Sequence, residues 1–352
     1  MTAGTPLAPL TTLGLGGPAE RLVRTSTEDE LVAAVRAADA AGKPLLLLAG
    51  GSNVVIADAG VPGTVVLIAT AGVERGQLPD GRATLTVQAG EVWDGIVSDA
   101  VAEGLAGLEC LSGIPGSTGA TPIQNVGAYG QEVSATIVSV RVLDRRSGEV
   151  EELPPEACGF AYRRSVFKWR DTHVVLATTF ALRPGGESEP IRYPELARRL
   201  GVEIGERAPL AAVREAVLSL RRGKGMVIDP ADPDSVSAGS FFTNPILDME
   251  AATRLERRVA ERLGPGVQPP AWPEPEGRVK TSAAWLIEHA GFHRGYGNGR
   301  VGLSSKHTLA LVNRGGATTA ELVALAREIV AGVRDAFGVD LRPEPVFVGH
   351  EW

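Results

Sequence analysis

The chain has 352 residues, of which 44% are hydrophobic and 22% charged, and its formal net charge is −7. This composition is typical of a soluble globular protein with room for two or three domains, and it excludes disordered and fibrous proteins. Because the chain is acidic overall, it offers no basic surface to a nucleic-acid backbone, so nucleic acid is excluded as a partner.

The sequence also predicts a cytoplasmic protein without membrane or metal. The N-terminus lacks a basic, apolar leader, and the longest apolar run, residues 45–49, is too short to cross a bilayer. The two cysteines, Cys110 and Cys158, lack the spacing of a disulfide or metal motif, which fits a reducing compartment. His289 and His293 lie four residues apart without the glutamate of an H-E-x-x-H site, so they predict a helix end.

The first predicted unit covers residues 1–72. Thr27 and Glu30 predict a capping box that begins a helix, and Gly42 ends it. The apolar positions of this helix are Leu31, Val32, Val35 and Ala38. The run LLLLAG from Leu45 predicts a strand buried on both faces, and VVIAD, after a short loop, predicts a second strand. Together they indicate a small α/β unit.

The second predicted unit covers residues 73–222. It begins with a strand, ATLTVQAG, and a helix, EVWDGIVSDAVAEG. The inward side chains of this helix are Trp93, Ile96, Val97 and Val101. A long glycine-rich loop follows, then strands in TIVSVRVLDRRSGEV and VVLATTFAL, and then a helix, LAAVREAVLSLRRG.

The third predicted unit, residues 223–352, begins after a composition shift in DPADPDSVSAG. Helices are predicted in TSAAWLIEHAG and TTAELVALAREIVAGVRDAFG. The tail LRPEPVFVG is extended, and its two prolines confine it to the edge of a sheet.

Common nucleotide-binding and hydrolase motifs do not fit this chain. GLGGPA at residues 14–19 matches the G-x-G-x-x-A pattern, but no helix follows it, which favours a turn between extended segments. A P-loop motif and a G-x-S-x-G nucleophile elbow do not occur in the sequence.

Two loops that combine glycine with polar side chains predict a cradle for a diphosphate cofactor. Glycines expose consecutive backbone N–H groups, which can bind phosphate oxygens without a cationic side chain. Either loop alone is more simply a connection, but two in one α/β region favour a cofactor site. Their candidate residues are Ala49, Gly50, Gly51, Ser52 and Asn53 in the first loop, and Ser112, Gly113, Ile114, Pro115, Gly116, Ser117, Gly119, Gln124, Asn125, Gly127, Ala128 and Tyr129 in the second.

Four further segments each have two interpretations. AYRRSVFKWR, residues 161–170, is either a solvated charge run or an anion-binding strand. Ser240 in GSFFTNP is either a core serine or a hydroxyl in a dry, apolar site. The cations of SLRRGKG, Arg221 among them, either complement a helix dipole or bind an anion. Glu344 between two prolines is either a surface glutamate or a rigidly held carboxylate.

Taken in order, several motifs resemble the UDP-N-acetylenolpyruvoylglucosamine reductase family over residues 11–349. These motifs are TTLGLGGPA, LAGGSNVV, GLECLSGIPGSTGATPIQNVGAYGQE, FAYRRSVFK, GSFFTNP, KTSAAWLIEHAGF, VGLSSKHTLALVN and LRPEPVFVG. The resemblance implies an α/β fold of the vanillyl-alcohol-oxidase type, with FAD-binding subdomains at 1–72 and 73–222. It also implies an α/β substrate-binding domain at 223–352, whose C-terminal strand returns to the active site.

The resemblance implies a chemistry and its residues. NADPH reduces FAD, the hydride passes to the enolpyruvyl group of UDP-N-acetylglucosamine enolpyruvate, and the product is UDP-N-acetylmuramate for peptidoglycan synthesis. By matching motif positions, Arg163 holds the carboxylate, Ser240 delivers a proton, and Glu344 assists. The glycine-loop residues and Arg221 would bind FAD. The implied substrate-binding residues are Tyr162, Tyr193, Lys224, Asn244, Lys280 and His307.

Some features of the resemblance are specific to a subtype or depart from the family pattern. Tyr193 in IRYPEL resembles the subtype with a tyrosine-bearing substrate loop, to which Lys224 and Asn244 also fit. KGMVIDP replaces the usual K-L-P-D-P, and ADPDSVS lengthens the link to GSFF. His307 stands where some members have glutamine.

Two alternatives to this function remain at the level of the sequence. One is an FAD oxidase of the same fold that acts on a hydroxy acid or sugar, and the other is a non-catalytic flavin- or nucleotide-sugar-binding module. The glycine loops contain neither histidine nor cysteine, which predicts non-covalent FAD. The expected partners are small molecules, the UDP-sugar and NADPH, and the protein is expected to act as a monomer.

Overall fold

The computed structural model describes residues 4–352, which divide into two compact units. Unit 1 consists of Ala19–Gly51 and Pro62–Arg222, with residues 4–5. Unit 2 consists of Pro6–Pro18, Ser52–Val61 and Gly223–Trp352. Among the helices in residues 4–352, none combines the length and apolar character that a membrane span needs.

Helices and runs of consecutive strands follow one another along residues 4–352. The α-helices are α1 (Glu28–Ala40), α2 (Trp93–Ala102), α3 (Ala120–Gln124), α4 (Pro194–Leu200), α5 (Leu210–Arg222), α6 (Met249–Leu263), α7 (Ala283–His289) and α8 (Thr319–Phe337). The first ten strands are β1 (Thr5–Pro6), β2 (Pro18–Thr25), β3 (Leu45–Leu48), β4 (Val54–Ile56), β5 (Val61–Ile68), β6 (Val73–Gln77), β7 (Ala83–Gln88), β8 (Leu105–Ala106), β9 (Gly127–Ala128) and β10 (Gln131–Glu132). The others are β11 (Ile137–Asp144), β12 (Val150–Leu153), β13 (His173–Pro184), β14 (Ser237–Ser240), β15 (Ile246–Leu247), β16 (Ala271–Glu274), β17 (Arg278–Thr281), β18 (Val301–Leu303), β19 (Ala310–Asn313) and β20 (Val346–Val348).

Two larger sheets organise unit 1. The first has the order β1-β2-β5-β3, in which β3 and β5 are parallel. The second is antiparallel with the order β12-β11-β13-β7-β6, and β8 pairs with the end of β13. Helix α2 covers the second sheet with Trp93, whose ring is fully buried and lies 5.6 Å from that of Phe180. Burying two large aromatic side chains stabilises this packing by several kcal/mol, about 1.5–3 for each.

The predicted helix at the start of the chain is confirmed as α1, but its capping differs from the prediction. Its four predicted apolar residues are all buried. The Thr27 hydroxyl accepts a hydrogen bond from the Glu30 N–H at 3.2 Å, as predicted. The Glu30 carboxylate, however, accepts from the Ser26 N–H at 2.7 Å rather than from Thr27. Only half of the capping box is therefore present.

Two predictions of burial in unit 1 are wrong in detail. Strand β3 was predicted to be buried on both faces, but only Leu48 is fully buried, because β3 lies at the edge of its sheet. In α2, Ala100 rather than Val101 completes the buried stripe. The run TIVSVRVLDRRSGEV forms a strand, a turn and a second strand, β11 and β12, which pair with each other.

Unit 2 contains three small sheets around one hydrophobic core. Their orders are β14-β19-β18, β15-β17-β16 and β20-β4, and the last pair is parallel. The predicted helices α7 and α8 are confirmed. Helix α8 begins with a complete capping box between Thr318 and Glu321, and it ends at Gly338, whose φ of +70° favours glycine. The tail is confirmed as an extended edge strand, β20.

The predicted division into domains at residues 72/73 and 222/223 stays a prediction. Residues 72 and 73 both lie in unit 1, whereas residue 223 begins the last segment of unit 2. The chain also passes from unit 1 to unit 2 between Gly51 and Ser52, inside the first glycine-rich loop.

Candidate active site

The two glycine-rich loops meet in unit 1. A Cβ atom added to Gly50 would lie 2.6 Å from the Cα of Gly116 and 3.0 Å from the backbone nitrogen of Ser117. These are backbone atoms that cannot rotate away, so only glycine fits at residue 50. Gly113 and Gly116 have φ values of +71° and +116°, which L side chains rarely adopt. The loops therefore present backbone rather than side chains where they meet.

This arrangement fits a bound diphosphate and flavin. A glycine cradle lets a ligand approach the main chain closely, as a phosphate requires. At the end of α3, the side chain of Gln124 is buried, and its Oε1 atom has no hydrogen-bond partner within residues 4–352. An unpaired buried amide oxygen is costly, and a ligand with an N–H or O–H donor would satisfy it. The residues present thus match the predicted cofactor.

Asn125 connects the second loop to the segment around residue 163. Its φ of +42° places it in the left-handed region, and its side-chain NH2 donates to Glu132 Oε2 and to the Ala161 carbonyl, both at 3.0 Å. Its Oδ1 accepts from the Ser134 N–H at 3.3 Å. The Asn125 side chain is therefore used for structure, and its predicted contact with FAD stays a prediction.

Arg163 stands at a tight turn, so the strand in the second interpretation of AYRRSVFKWR is wrong, and the binding of an anion there stays a prediction. Ala161 and Arg164 exchange two backbone hydrogen bonds of 3.0 Å, with Tyr162 and Arg163 between them. Arg163 has a φ of +51°, at the turn position that favours glycine or asparagine. A strained, non-glycine residue of this kind is often found at functional sites.

The guanidinium of Arg163 is held by the glycine loop. Its Nη2 donates to the Gly127 carbonyl at 2.6 Å, and its Nη1 lies 3.4 Å from the Asn125 carbonyl. Lys168, a buried residue, donates from Nζ to the Arg163 carbonyl at 3.1 Å. These bonds hold both the backbone and the side chain of Arg163 in place.

Arg221, Tyr129 and Tyr193 form a second cluster in unit 1. Arg221 is buried in the last turn of α5, and burial lowers the pKa of its guanidinium. Burial raises the pKa of Tyr129 to about 12, although the Arg221 charge opposes this rise. The rings of Tyr129 and Tyr193 lie 5.3 Å apart in an edge-to-face contact, and Tyr193 immediately precedes α4. Tyr193 thus lies beside the glycine loop, and the tyrosine-bearing substrate loop stays a prediction.

In unit 2, the backbone segments that carry Ser240 and Glu344 are neighbours although they are far apart in the sequence. Ser240 is the last residue of β14 and is half-buried. The Glu344 N–H donates to the Phe241 carbonyl at 2.9 Å, and Phe242 forms a β-bridge with Pro343. The two predicted catalytic residues therefore lie on neighbouring backbone segments.

Asn53 lies beside Glu344 in the same unit. The Asn53 carbonyl accepts from the Val346 N–H at 2.9 Å, and its Nδ2 lies 3.4 Å from the Glu344 carbonyl. Phe241 and Phe242, the two residues after Ser240, are 0% and 1% exposed and belong to the core of unit 2. Their packing keeps water away from the core side of the segment that follows β14.

The predicted substrate-binding residues of unit 2 fall on several elements. Asn244 accepts a hydrogen bond from the Ala283 N–H through Oδ1 at 3.0 Å, so it also caps α7. Lys280 forms an ion pair with Glu274 and lies on β17. Strand β17 pairs with β15, which begins two residues after Asn244. Lys224 and His307 are half-buried in loops.

The structure adds side chains that the sequence analysis did not assign. Lys168 belongs to the charged segment 161–170, and its apolar neighbours in SVFK are the signal that indicates its burial. Asp94 accepts a hydrogen bond from the Gly113 N–H at 2.6 Å, and Glu132 accepts from Asn125. Nothing in the sequence near Asp94 or Glu132 indicates these contacts, because their partners are distant in the chain or depend on the loop conformation.

Known proteins resemble this chain over nearly its whole length. The family model described as UDP-N-acetylenolpyruvoylglucosamine reductase, C-terminal domain, matches residues 230–348, and a model described as FAD binding domain matches residues 19–154. The UDP-N-acetylenolpyruvoylglucosamine reductase of Thermobifida fusca is 59% identical over 98% of this chain and 97% of its own. The chain belongs to the UDP-N-acetylenolpyruvoylglucosamine reductase family. The predicted family is therefore confirmed.

Further relatives of this reductase family agree. The reductase of Streptomyces coelicolor is 61% identical over 98% of this chain and 89% of its own. A crystal structure of UDP-N-acetylenolpyruvylglucosamine reductase from Thermus caldophilus covers 97% of both chains with a TM-score of 0.65 and 25% identity. The predicted fold, an FAD-binding part followed by a C-terminal domain of this reductase family, is confirmed, and the match to an FAD-binding domain agrees with the predicted cofactor.

Proposed function

We propose that this protein reduces UDP-N-acetylglucosamine enolpyruvate to UDP-N-acetylmuramate, with NADPH as reductant and FAD as cofactor, in peptidoglycan precursor synthesis. The observation that carries this proposal is the placement of Ser240 and Glu344 on adjacent backbone segments of unit 2, which the hydrogen bond from the Glu344 N–H to the Phe241 carbonyl joins. Family membership supports the reaction, and the glycine loops of unit 1 support the cofactor.

The two glycine loops would hold FAD without a covalent bond. Gly50 lets the two loops pack backbone to backbone, and the left-handed Gly113 and Gly116 would shape the main chain around the diphosphate. Gln124 would offer an acceptor to the cofactor. When bound, FAD supplies a hydride acceptor and donor between NADPH and the enolpyruvyl group. The protein contributes binding, orientation and electrostatics around it.

Arg163 would bind the carboxylate of the enolpyruvyl group. Hydride addition to the vinyl carbon places negative charge on the neighbouring carbon, and this charge spreads into the carboxylate. A guanidinium whose position is already fixed stabilises such developing charge without reorganisation. The bonds from Arg163 to Gly127 and from Lys168 to the Arg163 carbonyl provide that fixed position.

Ser240 would donate the proton to the carbanionic carbon, and Glu344 would assist at the carboxylate end. A serine hydroxyl is a weak acid in water, so this role requires a strongly basic acceptor and limited access of solvent. Ser240 is half-buried and precedes the fully buried Phe241. We assign substrate contacts to Tyr162, Tyr193, Lys224, Asn244, Lys280 and His307, as the family resemblance implies.

We also propose three properties of the whole protein. The working form is a monomer. The compartment is the cytoplasm, which is supported by Cys110 and Cys158 being free, buried thiols. The domains are those at 1–72, 73–222 and 223–352, and the pairing of β20 with β4 supports a C-terminal strand that returns toward the first glycine loop.

Ser240→Ala tests the proposal at one atom. Loss of the proton donor should slow reoxidation of the flavin by the enolpyruvyl substrate by roughly 10²–10⁴-fold in stopped-flow traces. Flavin reduction by NADPH needs no such proton and should keep its rate. Ser240→Cys, which retains a donor, should recover part of the lost rate.

Ser282→Ala is the matched control. The Ser282 hydroxyl caps α7 by accepting from the Trp285 N–H at 3.2 Å, so its loss should cost about 1 kcal/mol of stability and leave both half-reactions unchanged. Normal reoxidation in Ser240→Ala, or an equal fall in both half-reactions, would refute the role of Ser240. A wild-type protein whose flavin is reoxidised by oxygen but not by the enolpyruvyl substrate would refute the proposed function itself.

A further inference from the structure

A carboxylate that has no part in the proposed catalysis or substrate binding binds the beginning of the second glycine loop. Asp94, in the first turn of α2, accepts from the Gly113 N–H through Oδ1 at 2.6 Å. The same carboxylate forms a two-pronged ion pair with Arg214, with Nη1 to Oδ1 at 2.7 Å and Nη2 to Oδ2 at 2.9 Å. Paired, charge-assisted hydrogen bonds of this geometry are among the strongest in proteins.

The environment keeps this carboxylate charged. The Arg214 side chain is 17% exposed and that of Asp94 is 34% exposed. Burial favours the neutral acid, but the hydrogen bonds from Arg214 and Gly113, with the charges of Arg214 and Arg221, outweigh it and lower the pKa of Asp94. An ion pair on the surface contributes little to stability. A partly buried, two-pronged pair also fixes the relative position of its two side chains.

Helix α5 links this pair to the candidate FAD site. Arg214 and Arg221 are seven residues apart, which is two helical turns, so both lie on the face of α5 directed toward Asp94. The charge of Asp94 acts on both guanidinium groups. One carboxylate thus connects α5, α2 and the first left-handed glycine of the loop, Gly113.

We propose that Asp94 and Arg214 are positioning residues that hold the glycine loop in the conformation that binds FAD. The inference rests on the proposed function, in that this loop binds the FAD diphosphate. Without the carboxylate, the Gly113 N–H loses a charged acceptor, and the left-handed backbone at Gly113 and Gly116 is no longer tied to α5. If the binding-competent conformation then falls to a tenth of the population, the apparent dissociation constant for FAD rises tenfold.

Asp94→Asn and Arg214→Met test this inference in the full-length protein. The dissociation constant for FAD is measured from the recovery of flavin fluorescence when the holoprotein is diluted, and the melting temperature is measured after the flavin has been removed. Both variants should bind FAD at least tenfold more weakly than wild type, a change equivalent to about 1.4 kcal/mol.

The chain contains a closely matched control pair. Asp39 and Arg145 form a two-pronged ion pair in unit 1, at 3.1 and 2.6 Å, with side chains 28% and 20% exposed. Asp39→Asn and Arg145→Met should lower the melting temperature as much as the test variants do, yet leave the dissociation constant for FAD within about twofold of wild type.

The outcomes separate this inference from the proposed function. If Asp94→Asn and Arg214→Met bind FAD as wild type does, or if the control variants weaken FAD binding equally, the positioning role is overturned while the function stands. If one test variant does not fold, the other decides the question by the same two measurements. If wild-type protein itself does not bind FAD, the proposed function fails.

Discussion

Gly50→Ala probes the contact between the two glycine loops with the smallest possible change. The added Cβ would meet the Gly116 Cα at 2.6 Å, its carbonyl carbon at 2.8 Å and the Ser117 nitrogen at 3.0 Å, whereas ordinary contact begins at 3.4 Å. The loops must therefore separate by about 0.8 Å, and every atom involved belongs to the backbone. Overpacking of this kind typically costs about 1–3 kcal/mol of folding free energy.

The same displacement should weaken the site more than it weakens the fold. Since an error near 1 Å in a positioned site can cost about 100-fold in activity, we expect turnover to fall by roughly 10–100-fold and FAD to bind at least about tenfold more weakly. Urea denaturation gives the free energy of unfolding, and flavin fluorescence on dilution gives the dissociation constant.

Gly95→Ala provides a control, because its expected effect on stability has the opposite sign. Gly95 lies exposed in α2, and a Cβ added there meets nothing within 4 Å. Alanine suits a helix better than glycine, so this variant should be more stable by about 0.5–1 kcal/mol with FAD binding unchanged. The reasoning is refuted if Gly50→Ala matches wild type in both stability and FAD binding, because the added Cβ could not then lie 2.6 Å from the Gly116 Cα.

Two further predictions concern Lys168 and the pH dependence of stability. Lys168→Met should lower turnover about tenfold while the flavin content stays at the wild-type level, because Nζ no longer holds the Arg163 carbonyl at the strained turn. Steady-state kinetics measure the turnover, and the absorbance ratio of flavin to protein measures the flavin content. Unchanged turnover would contradict this prediction. The pKa of Asp94 is lowered from 3.8 in the folded state, so its contribution to stability is complete above pH 3.8 and is lost as the pH falls through the lowered value. Urea titrations should therefore show that wild type loses stability below pH 3.8 more steeply than Asp94→Asn, and parallel curves would contradict the assignment.

The sequence by itself determined the elements whose signals are local. Thr27 marks a helix start because a side-chain oxygen can satisfy an N–H two or three residues onward, and α1 begins there. The glycine content of residues 112–130 is also a local signal: it indicates a close approach of backbone segments, which only glycine tolerates. The order of short motifs indicated the reductase family, and that prediction is confirmed by the relatives.

Only the tertiary structure decided which distant residues meet. Phe241 and Glu344 are joined by a backbone hydrogen bond across more than a hundred residues, and no local pattern encodes such a bond. Asp94 contacts Gly113 and Arg214 because α2 and α5 pack against the same loop. The sequence of α2 has the pattern of an ordinary amphipathic helix and does not indicate these contacts. The turn at Arg163 was misjudged for the same physical reason: its left-handed backbone is maintained by Lys168 and the surrounding fold, against the local preference of arginine.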